Sequence, residues 1–203
     1  MLEPLNTTTV AHLHPAAATC VFWELEADVA SKVTSSGDPR FEKEAWLSAV
    51  LMQQQCCGFH ILREGHQQAI ASIMFCEPRF APGAAQMPTA PISADAWLLT
   101  SLHIDEGFAG VGLEAVLIDA VLAHLWQRRA TAVEAFGLGA HEGWDDVTEQ
   151  AGAIGIVPES VLQAAGFYHV ASHPVLPRMR IELPPEHMLS AQAAEELVAS
   201  ALA

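Results

Sequence analysis

The chain has 203 residues, 51% of them hydrophobic, and a formal net charge of −15. That length and apolar content supply one sizeable core. The acidity excludes sequence-independent binding to nucleic acid or to an anionic membrane, because both depend on a basic surface.

The opening MLEPLNTTTVAHLHPAAA carries neither a basic leader nor a long apolar run, and no later stretch reaches the roughly twenty apolar residues of a membrane span. Cys20, Cys56, Cys57 and Cys76 lie in apolar contexts without CxxC spacing, so they are expected buried and reduced in a soluble, cytoplasmic protein. Thr19 to Leu25 (TCVFWEL) is rich in strand-favouring residues, and EADVASKV spaces Val29 and Val33 as a short helix would. Asp38-Pro39 is a helix start, with Phe41, Ala45, Leu47, Val50 and Leu51 as the buried side through about Gln55. Cys57 to Arg63 and His66 to Cys76 flank Glu64-Gly65, which predicts an antiparallel hairpin.

Glu77 to Asp95 holds Pro78, Pro82, Pro88 and Pro91 and is expected to be an irregular excursion of the binding-loop kind. Trp97 to Ile104 alternates too weakly for a half-exposed strand and reads as a central one covered on both faces. A glycine-bearing loop follows, then a helix with Leu117, Ile118, Val121, Leu122 and Leu125 on one side, then a strand at Ala132 to Phe136. That order implies a parallel crossover. Leu138 to Val157 reads as an acidic loop or lid, charged by Glu142, Asp145, Asp146 and Glu149. Pro158 to Ala165 is a short helix stopped by Gly166, Phe167 to Val170 and Met179 to Leu183 are closing strands, and a helix from Ser190 carries Ala194, Leu197, Val198 and Leu202 on a stripe that must dock on this chain or on a second copy.

This order, with LTSLHID before AGVGLEAVLIDAV, then VPESVLQAAGF, then SHPVLPRMRIEL, resembles the GNAT superfamily of N-acetyltransferases over roughly Thr19 to Leu183. The resemblance implies an α/β fold with a mixed, mostly antiparallel central sheet flanked by helices, residues 1–18 being an N-terminal extension and 184–203 a helical tail. It implies transfer of an acetyl group from acetyl-CoA to a primary amine, on a small molecule or a peptide, by direct attack, and a homodimer. Main-chain groups near Leu102, His103 and Ile104 would pair with the pantetheine arm. N–H groups of Ala109, Gly110, Val111, Gly112, Leu113 and Glu114 would surround the pyrophosphate.

The chain departs from the family pattern in that loop. Aligned without gaps, Ala109 stands where the family has Gln or Arg, and Glu114 stands at the closing small residue. Shifting by two restores a closing glycine at Gly112 but puts Gly107 at the cation's place. No Lys or Arg occurs between Arg79 and Arg128, and Glu114 is positioned to act as an internal anion where a phosphate would sit. A non-catalytic GNAT-fold protein serving association or regulation is the rival reading. His103 is the best-placed proton-transfer group, against the alternative of a histidine satisfied in the core, with Asp105 and Glu106 as further strand-end acids. The family's general-acid tyrosine is replaced by Leu162, which leaves Tyr168, the only tyrosine, as the catalytic alternative. The spacings of His169 with His173, and of Cys56-Cys57 with His60, do not favour a metal, and none is expected.

Overall fold

The computed structural model describes residues 1–139 and 145–202. An eight-stranded sheet is its frame: β1 (Leu2–Pro4), β2 (Gly58–Ile61), β3 (Ala71–Cys76), β4 (Ala96–Ile104), β5 (Ala132–Leu138), β6 (Val157–Pro158), β7 (Tyr168–Ala171) and β8 (Arg178–Glu182). The order is β1-β2-β3-β4-β5-β8-β7, with β6 attached to β5. Only β4–β5 and β5–β6 are parallel; every other pair is antiparallel. This is the mixed, mostly antiparallel architecture expected, and β4 is central and largely buried.

Among the described residues seven α-helices cover the faces: α1 (Pro15–Thr19), α2 (Ala27–Ser36), α3 (Pro39–Gln54), α4 (Leu113–Gln127), α5 (Asp145–Ala153), α6 (Glu159–Ala164) and α7 (Ala191–Leu202). α3 starts as its sequence dictates, with the Asp38 carboxylate accepting the Phe41 N–H at 3.1 Å and Pro39 in the first turn. Its inner face differs from expectation. Phe41 is 64% exposed and Ala45 is exposed, while Lys43 is buried and bonds Glu24 at 2.5 Å. A buried ammonium survives only with such a partner. α4 buries Leu113, Val116, Leu117, Ile118, Val121, Leu122 and Leu125 against the sheet.

Two expectations are corrected and one is refined. Thr19 to Leu25 is no strand: α1 ends at Thr19 and the chain turns, with Cys20 N–H on the Ala16 carbonyl and Leu25 N–H on Val21. Val21 and Trp23 are buried as anchors of that turn, and the sheet edge beside β2 is taken by β1. The hairpin across Glu64-Gly65 forms as expected, β2 and β3 pairing antiparallel with the His66 N–H closing a turn on the Arg63 carbonyl, but its strands are shorter, β2 ending at Ile61 and β3 beginning at Ala71. The Leu138 to Val157 segment contains α5. Within that acidic stretch Glu142 and the side chains of Asp145 and Asp146 lie outside the described residues, and Glu149 is exposed.

The proline-rich excursion is packed down rather than projecting. Ala81, Ala84 and Met87 join a second core with Trp23, Leu98 and Phe136, and Trp46 Nε1 donates to the Phe80 carbonyl at 2.7 Å. The SHPVLPRMRIEL segment has a structural task. β5 and β8 set Glu134 opposite Arg180, and the fully buried Glu134 carboxylate accepts from Arg178 at 2.7 Å, Arg180 at 3.2 Å and Ser93 N–H at 3.1 Å. All four cysteines are free, and burial raises their thiol pKa values. Among the described residues no helix is long and apolar enough to cross a membrane.

Candidate functional site

β4 and β5 form a ladder only from Ala96 opposite Ala132 to Leu99 opposite Ala135. Beyond those residues the two strands have no ladder in common, and their free edges face each other. The chain fills this gap with its own backbone. After α5, Gly155 presents its carbonyl to the Leu102 N–H at 2.8 Å, and Val157 and Pro158 pair with Gly137 and Leu138 of β5. Gly155 has φ +73°, and a Cβ there would lie 2.7 Å from His103 Nε2 and 2.9 Å from Ser101 Cβ. Only glycine fits this approach. The main-chain donor on Leu102 is therefore already satisfied inside the molecule.

The loop before α4 behaves similarly. Gly110 and Gly112 take φ +75° and +95°, so the turn needs its glycines. The half-buried Glu114 reaches back one turn, and its Oε1 accepts the Gly110 N–H at 2.7 Å. A carboxylate thus stands at the helix N-terminus, where an external anion would otherwise find free N–H groups. Ala109 and Val111 are exposed, Leu113 is fully buried and Ile104 is half-buried.

A cavity of about 840 Å³ opens between this loop, α6 and the stretch after β8. Gly110, Gly112 and Glu114 line it from one side, Val161 and Tyr168 from another. Its ionisable lining is Glu114, Asp119, Glu182, Glu186 and His187, with Glu182 held by Arg180 at 2.7 Å; no Lys or Arg is among the described residues that line it. Burial raises the Asp119 pKa, and its Oδ2 accepts the Leu189 N–H at 2.6 Å. Carboxylates about 4 Å from a pyrophosphate oppose it by roughly 1–4 kcal/mol per charge pair. Arg128, the first cation after the loop, is committed elsewhere: it donates to the Gln54 carbonyl and its guanidinium lies 5.7 Å from the Trp97 ring centre.

The proton-transfer candidates are not brought together. His103 does not line the cavity; it is 6% exposed, its Nε2 is unpartnered among the described residues, and its ring stacks on His14 at 5.9 Å. Burial, then the neighbouring His14 and Lys43, lowers its pKa to about 4, so it is neutral at pH 7. His14 Nδ1 accepts the Ala16 N–H, which leaves Nε2–H to donate to Asp105 at 3.0 Å. Tyr168 does line the cavity and is 48% exposed. Its hydroxyl donates to Glu182 at 3.1 Å, and desolvation and that bond raise its pKa. Leu162 is fully buried in the main core. His169 pairs with Glu159 at 3.0 Å while His173 Nδ1 accepts the Leu176 N–H at 3.0 Å, so each has its own structural partner.

A mixed sheet whose one parallel pair on the main path stops short beside a glycine loop and helix places the chain in the class of α/β folds built on a mostly antiparallel sheet. The chain has, more particularly, the fold of the GNAT N-acetyltransferases. No protein-family profile and no curated protein sequence matches it. Among solved structures it is similar to an acetyltransferase (TM-score 0.54, 12% identity, covering 90% of this chain and 99% of that one). It is also similar to an N-acetyltransferase from Staphylococcus aureus Mu50 (0.52, 12%, 90% and 98%). A third is the ribosomal-protein-S5-alanine acetyltransferase from Vibrio fischeri (0.51, 10%, 90% and 92%).

Proposed function

We propose that this is a GNAT-fold protein whose acyl-CoA cradle is closed by its own chain, and that in this state it acts by associating with another protein rather than by acetyl transfer. The observation that carries the reading is the 2.8 Å bond from Leu102 N–H to the Gly155 carbonyl. It uses the main-chain donor that the GNAT resemblance assigns to pantetheine. Glu114 on Gly110 and the lack of Lys or Arg among the described residues lining the cavity point the same way.

A specific observation favours a second reading, acetyl-CoA-dependent acetylation of a primary amine on a small molecule or peptide. The 840 Å³ cavity at the glycine loop has the size of a ligand site. On that reading acetyl-CoA must displace Gly155 from β4, a neutral amine attacks the thioester carbonyl, the C–S bond breaks, and the proton shed by the nitrogen passes to the departing thiolate.

Calorimetric titration with acetyl-CoA, with desulfo-CoA and ATP as comparisons, separates the two. The closed-cradle reading expects no saturable heat at millimolar ligand. Saturable binding selective for the CoA compounds would overturn the closed-cradle reading in favour of the second, and Glu114→Gly should then tighten it about tenfold, the equivalent of removing one opposing charge.

A further inference from the structure

The edge of the sheet formed by β1 and β2 carries a second cluster. Glu3 and His60 are directly opposite in the antiparallel pair, so both side chains leave the same face. A 3-10 turn at Val10–His12 brings His12 alongside, its ring edge-on to His60 with centres 6.1 Å apart. The turn is fastened by the Ala69 N–H, which donates to the His12 carbonyl at 2.8 Å. Glu3 Oε2 lies 3.6 Å from His60 Nε2 and 4.0 Å from His12 Nδ1. One donor atom from each of the three residues lies within 4.8 Å of the other two.

His60 points to a ligand independently of this proximity. It is fully buried, and neither of its ring nitrogens has a hydrogen-bond partner among the described residues; His12 Nδ1 is likewise unpartnered. A neutral imidazole carries one donor and one acceptor nitrogen, and burying both unpaired is unfavourable. A cation beside Glu3 would engage the lone pair of His60 Nε2.

Two imidazoles and a carboxylate form a donor set that suits Zn²⁺ and leaves a fourth position open. Bonds of about 2.0–2.2 Å place the donors of a tetrahedral site roughly 3.4 Å apart. The present separations exceed that by about an ångström or less for the two Glu3 pairs. Glu3 and His12, with side chains 25% and 40% exposed, have room to close on the fixed His60.

We infer that Glu3, His12 and His60 form a divalent transition-metal site, best matched to Zn²⁺, that clasps the N-terminal segment to the edge of the sheet. Ser72 of β3 separates His60 from His103 of β4 in the cross-strand row, so the site is distinct from the cradle.

The test uses the full chain, without a histidine tag and stripped by chelator, titrated with Zn²⁺ alone by calorimetry and with Co²⁺ by absorption. The expected result is one equivalent bound, a tetrahedral cobalt spectrum and a raised melting midpoint. Glu3→Gln and His12→Ala should each weaken binding at least tenfold while the metal-free variants melt like the parent. Absence of stoichiometric uptake, or affinity unchanged in both variants, overturns the site. Should a variant melt early, the parent's cobalt spectrum still decides, because octahedral or missing bands exclude a His₂Glu set of this geometry.

Discussion

His103 shows how much one side chain's setting alters its chemistry. On β4 it looks like a proton-transfer group, but it sits between the stacked His14 ring and Gly155, with a pKa near 4 where an unfolded histidine has about 6.5. The folded value is the lower one, so as pH falls the unfolded chain takes the proton first. Stability from this residue is therefore intact above about pH 6.5, declines between about 6.5 and 4, and changes no further below that, for a total of roughly 3 kcal/mol at most. Burial lowers the His124 pKa as well, so the informative quantity is the difference between the parent and His103→Asn. Denaturant unfolding at pH 7 and pH 4.5 should show a smaller loss in the variant. Coincident pH curves would mean that His103 is not held neutral by the fold. The chain position of His103 was legible from the strand pattern. Its burial was not, because the covering His14 lies 89 residues away and is brought there by α1 and by the His14 N–H bond to Ser72 at 3.1 Å.

At the scale of elements, those with local signals emerged as read. α3 has its Asp-Pro start, α4 its apolar periodicity after the glycine loop, and β4 its weak alternation of apolar and polar residues. The misreading of Thr19 to Leu25 has a physical cause, which is that a short apolar run does not distinguish a strand from a buried turn. TCVFWEL failed in this way, since Trp23 is anchored by its Nε1 donating to the Ile154 carbonyl at 2.8 Å, a long-range bond with no local signature. GIV at 155–157 is the converse case, a strand-like plug inside what read as an acidic lid. Its glycine is the sensitive point. Gly155→Ala must adopt a positive φ and push a methyl against His103, costing about 2 kcal/mol or more. Hydrogen exchange should show the Leu102 amide losing protection in the variant while amides in the β2–β3 ladder keep theirs. Uniform protection in both chains would show that the Gly155 contact does not hold the cradle shut.

Across the whole molecule, both ends of the chain are built into the fold. Leu2–Pro4 forms the edge strand, and α7 lies on α4, with Ala194, Leu197, Ala201 and Leu202 against the main core and Val198 buried. The stripe that a second copy was one candidate to cover is thus used within the chain, and a homodimer would need a different surface. Gly112 marks how close this packing is, since a Cβ there would lie 3.3 Å from Leu197 Cδ2, which links the tail to the glycine loop. Deleting residues 190–203 should expose the α4 face that the stripe covers and remove roughly 3 kcal/mol of apolar burial. In a chain of this size that lowers the melting midpoint by about 6–12 °C. With a net charge of −15 the intact surface repels copies of itself. The truncated chain, with an apolar strip opened beside the loop, should therefore associate more strongly in sedimentation velocity than the intact one. Equal midpoints and equal sedimentation for the two chains would mean that α7 rests on α4 without contributing to stability, and the link between the tail and the loop would fall with it.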